Sequence, residues 1–113
     1  MTLFRTMLVV LCAILTVYTV IVIADHGMGL FAVFFGDIVV MAWPGQFNLD
    51  FSMMLLLSAT WVAWRHQFSP GGLGLALVAA VGGALFLTLY LLVISFQTQS
   101  DVKAMLLGPA RAA

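Results

Sequence analysis

The sequence predicts an all-α membrane protein: three transmembrane helices, with an interfacial or re-entrant helix between the first and second. Three observations predict it. Of 113 residues, 65% are hydrophobic and 7% are charged, and the mean hydropathy is +1.21, more apolar surface than a water-soluble fold of this size can bury. Long apolar runs are bounded by single charges rather than by amphipathic patterning. A shorter apolar run in the middle is interrupted by Asp37. The whole chain, 1–113, reads as one membrane domain.

Thr6 to Ala24 is an uncharged run between Arg5 and Asp25, close to the roughly 20 residues a helix needs to cross about 30 Å of hydrocarbon. It exceeds a signal-peptide core and has no polar segment before Val22 and Ala24, so it is expected to stay as a signal-anchor-like first span, 6–24. Leu30 to Trp43 is too short to span and carries Asp37, which is costly at a membrane centre, so 30–43 is expected to lie in the interface or re-enter. Gly29, Ala32 and Gly36 recur at helical spacing, Phe31, Phe34 and Phe35 cluster, and Trp43-Pro44-Gly45 reads as its end at headgroup level.

The second span, 49–66, is expected to start after an N-cap at Asn48, with Asp50 in the first turn and Arg65 and His66 at the carboxyl end, each charge complementing the helix dipole. Trp61 and Trp64 supply an aromatic belt, with Trp43 marking the other interface. Ser69-Pro70-Gly71-Gly72 reverses the chain into a third span, 71–96. There Gly72, Ala76, Ala80, Ala84 and Thr88 form a small-residue stripe, with Ala79 and Gly83 beside it, suited to close helix packing. The tail, 97–113, turns polar, and Ser100 is positioned to cap a short surface helix ending at Gly108 and Pro109.

Charge placement sets the expected orientation. Arg5 and Arg65 share one face, whereas the loop from Asp25 to Asp50 carries three Asp and no Lys or Arg. The positive-inside rule puts the N-terminus in the cytoplasm, and three spans put the C-terminus outside. The expected location is a bacterial cytoplasmic membrane.

Zero net charge gives no reason to expect a nucleic-acid partner, and a single cysteine, Cys12, allows no internal disulfide. Nucleotide, zinc and nucleophile-elbow motifs are absent, so no catalytic or metal residue is expected and the chain is read as a non-enzyme; no cofactor is identifiable. The candidate polar site is Asp37, Asp50, Tyr18 and Tyr90, with Thr88, expected as a hydroxyl and carboxylate cluster in the outward half. Asp25 and His26 read as a turn at the outer face.

The acidic start at Asp50, the run Trp61 to Arg65 (WVAWR), and Gly83 to Leu92 with its LYLL together resemble small bacterial integral membrane proteins catalogued only as a domain of unknown function. The resemblance covers about half the chain and implies a compact bundle of three or four helices, with no activity attached. The expected function is a non-catalytic accessory or structural subunit of a larger membrane complex, such as a respiratory or photosynthetic assembly. The partners are then the bilayer and other membrane subunits. Two alternatives stand beside it: a homo-oligomeric small transporter or channel using Asp37, and a binder of a hydrophobic lipid, quinone or pigment.

Overall fold

A computed structural model describes all residues, 1–113. The chain is helical throughout: α1 Thr2–His26, α2 Leu30–Val40, α3 Trp43–Arg65, α4 Pro70–Gln97, α5 Val102–Leu107 and α6 Pro109–Ala112. By length and composition α1 and α4 are each apolar enough to cross a membrane, and the bent pair α2 and α3 makes a third candidate.

α1 is unbroken for 25 residues, about 37 Å, and ends where Gly27 adopts φ 74°. α2 stops at Met41, a left-handed residue at φ 60°, and its axis is turned 113° from that of α3. Gly45 lets the two helices touch, its α-carbon facing the Asp37 carbonyl. Here the structure differs from the expected start of the second span. Trp43 opens α3 with Pro44 in the first turn, a position where proline's missing N–H costs nothing. Asn48 is therefore inside the helix, and its amide donates to the Phe34 carbonyl at 3.1 Å instead of capping. Asp50 falls in the second turn, exposed.

The largest correction concerns the third span. Residues 72 and 90 of an unbroken helix would stand about 27 Å apart. Yet Gly72 packs against the His66 side chain, and the Tyr90 hydroxyl lies 2.7 Å from Nε2 of the same histidine. α4 therefore doubles back, at Gly83, whose φ 56° and ψ −142° are not helical. Each arm, 70–82 and 84–97, is roughly 20 Å long. The first runs antiparallel to α3 until Gly83 meets the Phe51 ring. The second returns toward the end of α3, carrying α1 on its other side.

A small core sits where the arms and α3 converge: Val62, Ala79, Tyr90, Ile94 and Met105. The fold-back also brings the tail home. Arg5 Nη2 donates to the Ser100 hydroxyl at 3.0 Å, so the beginning of α1 and the end of α4 lie together. The two termini are thus at one end of the molecule, not at opposite faces as three unbroken spans required.

Candidate functional site

That shared end is built on Arg65. It is the last residue of α3, 5% exposed, and its guanidinium is consumed by uncharged oxygens. Nε donates to the Met105 carbonyl at 2.6 Å, Nη2 to the Ala104 carbonyl at 3.3 Å, and Nη1 to the Tyr90 hydroxyl at 3.2 Å. Because Arg65 can only donate, the Tyr90 proton is free to point at His66 Nε2, giving a chain from guanidinium to phenol to imidazole. Burial, and then the neighbouring Arg65 charge, lowers the His66 pKa below its ordinary value. The neutral imidazole with its proton on Nδ1 fits this chain.

Aromatic rings brace the group. Trp61 meets Tyr90 edge to face with centroids 5.7 Å apart, and Phe86 stacks on Tyr90 at 5.4 Å. Trp61 Nε1 donates to the Leu106 carbonyl at 3.0 Å. Arg111 lies over the Trp64 ring, 4.1 Å from its centroid, and donates to the Trp64 carbonyl. The tail helices α5 and α6 are thus fastened to the end of α3 by two arginines and a tryptophan.

A third arginine fastens α1. Arg5 Nε donates to the Ser95 hydroxyl, and Nη2 to the Ser95 carbonyl and the Ser100 hydroxyl, all at 3.0 Å. The guanidinium also sits 3.9 Å from the centroid of Phe96. All four Lys and Arg residues, Lys103 in α5 included, are at this end.

Comparison with protein-family models, curated proteins and solved structures found no match.

The predicted residues divide by location. Tyr90, Trp61, Trp64, Arg65 and His66 come together in the arginine-built end. Tyr90 is not brought to Asp37 or Asp50: Asp50 is fifteen residues before Arg65 on α3, about 22 Å away along the axis. Tyr18 stands on the open face of α1, 68% exposed, and Trp43 is 74% exposed at the opposite end of α3. Asp37 is half-buried at the corner between α2 and α3. The small-residue stripe is divided by the break at Gly83. Gly72 is buried, Ala76 and Ala80 are half-buried, and Ala84 on the second arm is exposed.

Sequence reasoning missed the roles of Arg5, Ser95, Ser100 and Arg111. Arg5 and Ser95 lie 90 positions apart, and nothing local pairs them. The expected cap of α5 also shifts by one: the Asp101 carboxylate accepts from the Lys103 N–H at 3.1 Å, while Ser100 serves Arg5. No three His, Cys, Asp or Glu side chains gather as a metal site would require.

Proposed function

We propose that the protein is a non-catalytic accessory subunit that packs into a larger integral membrane assembly, with its arginine-built end in the cytoplasm. The observation that supports this reading is the outer half of α1. Its polar neighbours bond inward at the basic end, but beyond Leu8 no residue of α1 is buried. Val17, Tyr18, Val20 and Ile21 all face outward, each more than half exposed. Tyr18 lies about 20 Å along the helix from Arg5, a depth at which a phenol gains from a hydrogen-bonding neighbour that lipid does not supply. Concentration of every Lys and Arg at one end supports the cytoplasmic orientation.

Purification from native membranes in mild detergent, with the particle mass and every co-purifying chain identified, tests this. A complex of fixed stoichiometry that Ile21→Trp releases, without loss of helicity, is the expected result. A chain that runs alone or as a small homo-oligomer overturns it.

A further inference from the structure

One groove of this molecule combines an apolar floor with a cation at its mouth. It lies between α1 and the second arm of α4. Toward the middle of α1 it has a volume of about 460 Å³ and is lined by Leu8, Cys12, Thr16, Leu89 and Leu92 among others. A second stretch of about 490 Å³ shares Val9 and Leu92 with the first and opens at Arg5, Thr2 and Phe96. The two stretches adjoin at Val9 and Leu92 along the same side of α1. From Arg5 to Thr16 the groove runs about 16 Å, half of a roughly 30 Å hydrocarbon core.

The Arg5 guanidinium is held at that mouth by its own fold. Nε and Nη2 make all the bonds to Ser95 and Ser100, and Phe96 fixes the plane. Nη1, with two N–H donors, remains for an anion. A fixed cation at the membrane surface above an acyl-length apolar track is the complement of one kind of molecule. We propose that this groove binds an anionic glycerophospholipid, its phosphate at Arg5 and one acyl chain along α1 as far as Thr16.

The site goes beyond the subunit reading and rests only on the chain being embedded in a bilayer. It belongs to the leaflet at the basic end. Two contributions select the lipid: the arginine discriminates between anionic and zwitterionic headgroups, and the groove discriminates between a lipid and a free phosphate ion.

The test uses the full chain alone, reconstituted into vesicles of equal parts phosphatidylglycerol and phosphatidylcholine with the same acyl chains. After gentle solubilisation, the lipids retained on the protein are counted by mass spectrometry. The wild type is expected to retain phosphatidylglycerol in several-fold excess, and added inorganic phosphate is expected not to displace it. Arg5→Gln is expected to return the ratio to the one supplied. Because Arg5 also ties α1 to α4, a second variant guards against misfolding: Ala13→Trp fills the groove from an exposed position on α1 and leaves Arg5 in place. It is expected to lose both lipids while keeping its helicity.

Equal retention of the two lipids by the wild type overturns the proposal. So does undiminished retention by Ala13→Trp, or a Cys12 to Cys12 crosslink between copies with no lipid bound, which would make a second copy the occupant. Because no partner chain is present in the vesicles, these outcomes are independent of whether the protein belongs to a larger complex.

Discussion

At the scale of single residues, this molecule is organised by what its arginines bond to. Arg65 is charged and nearly buried, yet its partners are two carbonyls and a phenol, so its removal leaves the Met105 carbonyl without its donor and costs the Ala104 carbonyl and the Tyr90 hydroxyl one of their two bonds. Arg65→Leu is expected to cost about 3 kcal/mol, the scale set by buried bonds to charged groups, read as lost thermal stability in detergent micelles. Arg65→Lys is expected to recover little, because one ammonium cannot span the fork that reaches Ala104, Met105 and Tyr90 together. His66 gives a pH signature. Its folded pKa is lowered, so between that value and the ordinary one of about 6.5 the unfolded chain binds more protons than the folded one. The stabilisation from neutral His66 is then complete above the unfolded pKa and declines as pH falls through the window. Melting temperatures at neutral and mildly acidic pH are expected to separate in the wild type, and the separation to shrink in His66→Gln.

At the scale of elements, Gly83 decides the course of α4. A backbone at φ 56° and ψ −142° lies where residues with a β-carbon pay about 1–3 kcal/mol, and an added methyl would approach Phe51 Cζ to 2.7 Å. Gly83→Ala is therefore expected to be destabilising by at least about 1 kcal/mol, and Gly83→Ala with Phe51→Ala to relieve the contact but not the backbone. A direct distance measurement checks the fold-back. Spin labels on cysteines replacing the exposed Leu73 and Val93, in a Cys12→Ala background, are expected to lie well short of the about 30 Å that an unbroken helix would impose. The separation of an unbroken helix would reject the doubled arm. α2 is governed by similar logic at its own end: a left-handed Met41 followed by a proline in the next first turn makes a corner, not a continuous span.

For the whole molecule, the doubled α4 changes which parts share a side. With the arm returned, Ser69 and Ala112 both belong to the end that holds Arg5, Arg65, Lys103 and Arg111, while Met28 lies past the far end of α1. Single cysteines at Ser69 and Ala112 are expected to be labelled by an impermeant reagent from one side of sealed vesicles, and a cysteine at Met28 from the other. Labelling of Ser69 and Ala112 from opposite sides would restore three unbroken spans. The same arrangement resolves a conflict in the charge pattern. Three unbroken spans would set Lys103 and Arg111 on the far side, against the positive-inside rule, whereas the returned arm places them with Arg5 and Arg65.

Composition by itself determined that the chain is helical and apolar enough to cross a membrane, because backbone groups in hydrocarbon must be satisfied within each segment and helices do this locally. Single charges and turn residues likewise placed an isolated α2, the reversal at Ser69 to Gly72, and a short tail helix ended by Gly108. The sequence left Gly83 as one small residue in a stripe of small residues, indistinguishable from a packing position. Its role as a break appears only when Phe51 and the returning arm surround it. Tyr90 was read into the acidic half for the same reason: a straight helix fixes depth by residue count, and one non-helical residue reverses that count. The partners of Arg5, Arg65 and Arg111 were decided by tertiary structure alone. A guanidinium bonded to carbonyls has no complementary charge in the sequence to announce it, and chain separations of 25 to 95 positions leave no local pattern to read.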